Sequence, residues 1–296
     1  MADVTRWRAL LAEATKRLAD GGYPSAAVEA RRIVEQASGF DGPDFVVGLD
    51  EPAPRLAILS FERMLERRLA GEPLQYVLGS WGFRTLDLFV DRRVLIPRPE
   101  TEIVVELALA ELDRLRARRS RPIRVADLGT GTGAIALAVV AERPWTEVWA
   151  TDQSVDALEV ARVNLAGVGR PAARVRLAVG SWFEALPEEL RGQLDAVVSN
   201  PPYVAAGEPL PDEVADWEPT EALVAGPTGL EALEAVISGA PAWLTPEGVL
   251  VVEIAPHQAQ DVRQLAVAAG FAEVDIAPDL AGRDRVVIAR RVPLRA

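Results

Sequence analysis

The chain contains no cysteine and a single histidine, His257, among its 296 residues. Without thiols there are no disulfides, no thiolate metal sites and no cysteine nucleophile. One imidazole excludes a histidine-rich metal centre and leaves a serine–histidine triad only that residue to use. No metal is expected. Lysine is scarce too: Lys16 is the one lysine among 32 basic residues, which reads as arginine-rich codon usage rather than as function. Basic charge is outweighed overall, since 44 acidic residues leave a net charge of −12. Such a chain is not built to hold a phosphate backbone non-specifically, so no direct nucleic-acid contact is expected. No run is long and apolar enough to cross a bilayer, and Met1-Ala2-Asp3-Val4 lacks the basic-then-apolar pattern of a leader. The expectation is a cytoplasmic protein that does not associate with membranes.

What is present suits an ordinary core. Hydrophobic residues make up 49% and charged residues 26%, and the length allows one large domain or two unequal ones. Residues 1–73 read as helical. Trp7, Leu10, Leu11, Ala14 and Leu18 recur at helical spacing, as do Ala26, Ala30, Ile33, Val34 and Ala37, and then Ile58, Phe61, Leu65 and Leu69. These helices are amphipathic and too short to stand alone, which predicts a small bundle. Arg63, Arg67 and Arg68 among them read as a solvated helix face. Residues 74–97 read as a linking β-hairpin. Trp81 to Val90 alternate, Asp91-Arg92-Arg93 makes a turn, and Val94-Leu95-Ile96 returns as a second strand. From residue 98 to the end, helices and strands alternate, with strands expected at 123–128, 148–151, 175–179, 196–199, 249–254, 274–277 and 286–289. This pattern predicts an α/β domain on a mainly parallel sheet whose last two strands form an antiparallel edge pair.

Two motifs in that domain carry chemistry. Asp127-Leu128-Gly129-Thr130-Gly131-Thr132-Gly133 follows a strand and opens a helix. Glycines let the chain turn sharply and a ligand touch its backbone, and the helix N-terminus favours a negative group. Asp152, at the end of the next strand, is placed to accept hydrogen bonds from a ribose diol. The spacing is G-x-G-x-G, not the dinucleotide G-x-G-x-x-G. An NAD enzyme competes on this motif alone, and S-adenosylmethionine fits it at least as well. The second motif, Asn200-Pro201-Pro202-Tyr203, follows the strand at 196–199 and falls at the carboxyl edge of the sheet. An amide or amino nitrogen conjugated to a π system is a poor nucleophile. Two acceptors are needed to grip its N–H bonds and free its lone pair. Asn200 offers a side-chain carbonyl, Pro201 a backbone carbonyl, and Tyr203 a flat face for a planar group.

With both motifs in place the chain resembles the amino-group methyltransferases of the seven-stranded class. More narrowly it resembles the peptide-chain release factor glutamine methyltransferases, the HemK-like family. Further matching segments are Gly71 to Tyr76 with Gly82-Phe83, Leu95 to Glu102, Glu218-Pro219 with Ala222-Leu223, Gly226 and Gly229-Leu230, and Asp279 to Arg285. The match spans essentially the whole chain. It implies a seven-stranded, Rossmann-like, S-adenosylmethionine-dependent methyltransferase domain over 98–296, preceded by a helical substrate-docking domain over 1–73. It implies N5-methylation of the glutamine in the Gly-Gly-Gln motif of class I release factors, by an enzyme expected to be monomeric. Gly129, Thr130, Gly131, Thr132, Gly133, Asp152, Trp182 and Asn200 match the family's cofactor positions. Asn200, Pro201, Pro202 and Tyr203 match its glutamine site, with Asn200, Pro201 and Tyr203 in catalytic roles. Two departures stand out: Ser181 replaces a frequent acidic residue before Trp182, and Glu253-Ile254-Ala255 replaces Glu-Ile-Gly.

Other residues carry two readings. Phe83 either walls the glutamine pocket or belongs to the core. Glu100 and Glu102 order the site mouth or favour a helix N-terminus. Residues 204–224 form a substrate lid or a solvated loop, and His257 reads as a surface residue. An adenine-N6 methyltransferase acting on nucleic acid is the competing enzyme, because Asn-Pro-Pro-Tyr serves that chemistry too. A non-catalytic binding module is the competitor of another class.

Overall fold

The computed structural model describes residues 5–292. Met1–Val4, the segment without a leader pattern, lies outside the described residues. The chain divides into two compact units, Met1–Ser80 with Asp212–Trp217, and Trp81–Pro211 with Glu218–Ala296.

In the first unit run α1 (Trp7–Asp20), α2 (Ala26–Ser38), α3 (Gly42–Gly48), α4 (Arg55–Leu69) and α5 (Leu74–Leu78). The apolar stripes read from the sequence meet in one cluster around Trp7, Leu18, Ile33, Phe61 and Leu65. Two of the three arginines read as a solvated face are structural. The Arg67 guanidinium clasps the Glu72 carboxylate and donates to the carbonyls of Tyr76 and Val77, which docks α5. Arg68 is buried and donates to Glu29 at 2.6 Å and to Glu213 at 2.8 Å. A buried guanidinium needs such partners, because a solvent-free charge without them is costly. The span 74–97 is therefore not one linker, since its first residues form a helix of this unit.

In chain order the rest comprises β1 (Ser80–Phe83), β2 (Leu86–Phe89), α6 (Pro99–Arg116), β3 (Ile123–Leu128), α7 (Ala134–Glu142), β4 (Thr146–Asp152), α8 (Val155–Gly167), β5 (Val175–Val179), β6 (Leu194–Ser199), β7 (Val204–Ala205), α9 (Asp212–Trp217), β8 (Val224–Gly226), α10 (Glu231–Trp243), β9 (Leu244–Glu253), α11 (Ala259–Ala268), β10 (Glu273–Pro278) and β11 (Asp284–Arg290). Seven strands form one sheet in the order β10-β11-β9-β6-β3-β4-β5. β9, β6, β3, β4 and β5 run parallel. β11 is antiparallel to both neighbours, and β10 forms the edge. Alternate strand residues enter two cores. Ile123, Val125, Val148, Ala196 and Val198 pack with α6 and α7, whereas Ala126, Leu128, Val197, Leu250 and Val252 pack with α10 and α11. A parallel sheet covered on both faces explains why these strands read as continuous apolar runs.

The hairpin differs from its sequence reading. It turns at Arg84-Thr85, between β1 and β2, and 94–96 is no strand. Arg84 takes a left-handed φ of 52°, and its N–H is held by the Glu102 carboxylate at 2.9 Å. Asp91 closes its own turn by accepting from the Arg93 N–H. Val94 then packs against Ala157 and Val160, and the Ile96 N–H donates to Glu218 at 3.1 Å. The alternation at 94–96 thus reports burial rather than a strand. Residues 204–224 are not a free loop: β7 and β8 pair in parallel, and α9 between them belongs to the helical unit. Among the described residues no helix is long and apolar enough to cross a membrane.

Asn164 on α8 stitches the hairpin to the glycine turn. Its Oδ1 accepts from the Phe89 N–H at 2.7 Å, while Nδ2 donates to the carbonyls of Phe89 and Thr132 at 3.0 and 2.9 Å. Asn164→Ala leaves all three backbone groups without that partner. It is expected to lower the unfolding free energy by about 2–4 kcal/mol, measured by urea denaturation.

Candidate active site

Three parallel strands deliver their carboxyl ends to one level. Asp127 on β3 lies opposite Val198 on β6, and Ser199 lies opposite Val252 on β9. Continued past the strand ends, the two registers set Gly129 and Glu253 level with Asn200. The Ser199 hydroxyl fastens the first pair by donating to the Leu128 carbonyl at 2.6 Å.

The glycine turn leans on β4. The N–H groups of Gly129 and Thr130 both donate to the Thr151 carbonyl at 2.9 Å, and the Gly133 N–H donates to the Thr130 carbonyl at 2.8 Å. Gly129, Gly131 and Gly133 hold φ of 72°, 54° and 84°, a left-handed path that L side chains resist. Asp152 caps the turn from β4: Oδ2 accepts from the Gly131 N–H and Oδ1 from the Ser154 N–H, each at 2.9 Å. Burial pushes the Asp152 carboxyl above its ordinary pKa. Each oxygen keeps a further lone pair for a ligand.

A cleft of about 750 Å³, open mouth included, is lined in part by Gly129, Gly131, Asp152, Trp182, Asn200 and Pro202. That is within the range of small-molecule sites. Five of the expected cofactor residues therefore share one wall. Thr130, Thr132 and Gly133 are not on it. They build the turn instead: the Thr130 hydroxyl donates to Asp127 Oδ2 at 2.6 Å, Thr132 Oγ1 accepts from the Ala134 N–H, and Gly133 starts α7. Trp182 adopts a left-handed φ of 46°, and a Cβ placed on Gly129 would stand 3.5 Å from its ring. Ser181 lies beside it on the cleft. Asp127 is fully buried, and its Oδ1 has no hydrogen-bond partner. These residues fit S-adenosylmethionine in kind: a carboxylate for a diol, an unsatisfied oxygen for an ammonium, and an aromatic ring for a purine.

The expected glutamine-site residues are held from behind. Asn200 Nδ2 donates to Thr101 Oγ1 at 3.1 Å, and the Thr101 hydroxyl donates to Glu253 Oε2 at 2.7 Å. The Tyr203 hydroxyl donates to Glu253 Oε1 at 3.3 Å. Gln258 Nε2 donates to the carbonyls of Tyr203 and Gly229 at 3.0 Å each. Pro201 is buried and Pro202 faces the cleft. Glu253 is 1% exposed, and burial pushes its pKa to about 7, as it does for Asp127. Burial and the nearby Glu253 charge raise the Tyr203 phenol. Phe83 does not belong here. It is 1% exposed in the core with α6 and is absent from the cleft wall, because its strand turns its ring inward. Thr101, Glu253 and Gln258 are supports to which the sequence reading assigned no role at the site. The one available signal was a carboxylate ending an apolar strand, a position that burial makes expensive.

The chain matches the family model PrmC N-terminal domain over residues 9–79 and Methyltransferase small domain over 107–215. It is 44% identical to a release factor glutamine methyltransferase of Cereibacter sphaeroides, over 95% of this chain and 96% of that one. It is 42% identical to that of Moorella thermoacetica, over 96% and 98%. Among solved structures, the N-terminal domain of human METTL16 in complex with SAH aligns with a TM-score of 0.52 at 15% identity, covering 77% of this chain and 84% of that one. A methyltransferase from Pyrococcus furiosus aligns with a TM-score of 0.50 at 18% identity, covering 76% and 96%. These last two likenesses concern the fold alone.

Asp127 carries a pH signature. Its folded pKa is raised from 3.8 to about 7. For a raised carboxyl, the stability it contributes is full below the unfolded value and is lost as pH rises through the folded one. Asp127→Asn keeps the acceptor for Thr130 and Ala136 and removes the titration. Its stability relative to wild type is expected to rise as pH climbs from 3.8 through about 7. Urea unfolding of both proteins across that range measures it, and a pH-independent difference would contradict the assignment.

Proposed function

The chain belongs to the release factor glutamine methyltransferase family, and on that premise we propose that it methylates the side-chain N5 of the glutamine in the Gly-Gly-Gln motif of class I release factors. S-adenosylmethionine is the donor. When bound, it supplies an electrophilic methyl carbon on a sulfonium. Everything else is the work of this chain's residues. Asp152 would hold the ribose diol, Trp182 would pack on the adenine, and the backbone of Gly129 and Gly131 would let the ligand approach closely. Asn200 Oδ1 and the Pro201 carbonyl accept the two N–H bonds of the glutamine amide and turn its nitrogen lone pair toward the cleft. Tyr203 covers the planar amide. Positioning and water exclusion carry most of the rate effect. No side-chain base is required, because an alkylated amide nitrogen sheds its proton readily to water.

The observation that carries this reading is the orientation of Asn200. Its Nδ2 is engaged by Thr101, which leaves the oxygen end for a substrate N–H. Adenine-N6 methylation is not favoured, since relatives matched over nearly the full chain are named for release factor glutamine. We further read the helical unit as the docking element for the release factor, and the enzyme as a cytoplasmic monomer without direct nucleic-acid contact.

Asn200→Ala is expected to lower turnover by about 10²–10³-fold with the fold intact. Mass spectrometry of a release factor incubated with enzyme and donor reads this as loss of the single added methyl. Near-normal methylation by that variant would sink the assignment. Asp152→Ala is expected to weaken donor binding by about 1.5–3 kcal/mol in calorimetry.

A further inference from the structure

An amide side chain has two ends of nearly equal shape and opposite polarity. For Asn200 the difference is decisive, because only the oxygen end can accept a substrate N–H. We propose that Thr101 and Glu253 are positioning residues that determine which end of the Asn200 amide faces the substrate. The proposal rests on the reading of Asn200 given above.

The Thr101 hydroxyl has one proton. It is given to Glu253 Oε2 at 2.7 Å, so toward Asn200 the same oxygen offers only lone pairs. It therefore receives Asn200 Nδ2 at 3.1 Å, and Oδ1 is left outward. The second oxygen of Glu253 receives the Tyr203 hydroxyl at 3.3 Å. One carboxylate thus acts as proton acceptor at both ends of the Asn200–Tyr203 segment. Thr101 is 4% exposed and Glu253 1%, so water does not compete for these bonds.

Protonation of Glu253 would reverse the relay. A carboxylic acid donates to Thr101, the Thr101 proton turns toward Asn200, and the amide is favoured with its oxygen inward. The groups facing Glu253 are Thr101 and Glu100 from α6, Tyr203 from the motif loop and Arg285 from β11. Burial and Glu100 raise its pKa, while Thr101, Arg285 and Tyr203 lower it, with a balance of about 7. Falling pH therefore drives the relay toward its reversed arrangement.

The experiment measures kcat, donor Kd and pH profile on a release factor substrate for the full chain and five variants. Thr101→Val is expected to lower kcat about tenfold, the loss of one hydrogen bond, with donor Kd unchanged. Thr101→Ser restores most of the rate. In the Asn200→Ala background, Thr101→Val costs nothing further, since the two residues act in series. Wild-type kcat falls as pH drops below about 7, and Glu253→Gln loses that limb. Normal turnover by Thr101→Val beside an inactive Asn200→Ala would overturn the relay and leave the reading of Asn200 standing. The same cost of Thr101→Val with and without Asn200 would overturn it as well, by showing a merely structural hydroxyl. Near-normal turnover by Asn200→Ala would remove the premise itself, and the relay with it. Should Thr101→Val fail to fold, Thr101→Ala, which removes the hydroxyl without adding a methyl group, takes its place, and normal turnover by that variant overturns the proposal.

Discussion

The parallel pairing of β3 with β6 is the constraint on which the site depends. The chain runs outward from β3 through β4 to β5, then returns to lay β6 on the other flank of β3. That reversal opens a crevice at the carboxyl ends of the two strands, where ligands of open α/β sheets bind. The register then decides what meets there. With Asp127 opposite Val198, the glycine turn and Asn200 leave the sheet side by side. A slip of one residue would send every β6 side chain to the wrong core and carry Asn200 away from the turn. The apolar residues that enter the two cores from alternate strand positions therefore position the site without touching it.

Around that crevice the fold keeps what is costly elsewhere. Two carboxyls, Asp127 and Glu253, are buried and pushed to a pKa of about 7. Trp182 holds a left-handed backbone that few bulky residues adopt. Away from the crevice, buried charges are matched by opposite ones, as Arg68 is by Glu29 and Arg290 by Glu111. The contrast is a physical signature of a site: charge and strain persist where surrounding structure over-determines them.

Much of this was legible in the chain because it is local. β3 and β5 begin and end where their apolar runs do, and the glycines of the turn mark the start of α7. Asn200-Pro201-Pro202-Tyr203 stands at a strand end because the strand before it is a continuous apolar run. What escaped was non-local. Thr101 and Glu253 are 152 positions apart in sequence, and nothing in either neighbourhood says that they share a proton. Val94 to Ile96 alternate like a strand, yet they are buried in an irregular segment that packs on α8 and is held by Glu218. Phe83 admitted two readings because an aromatic in a hairpin has the same local pattern whether it faces a ligand or a core.

The membership of α9 in the helical unit bears on how the protein is made. Arg68 lies on α4, near the beginning of the chain, and one of its carboxylate partners, Glu213, lies 145 residues further on. As the chain leaves the ribosome, the helical unit emerges first and is completed late. Until β6 and β7 have been synthesised, Arg68 has Glu29 alone to offset its charge. A long closure of this kind is slow on entropic grounds. It makes the first unit to appear dependent on the second for its last helix, so the two units, although each has its own core, do not mature independently.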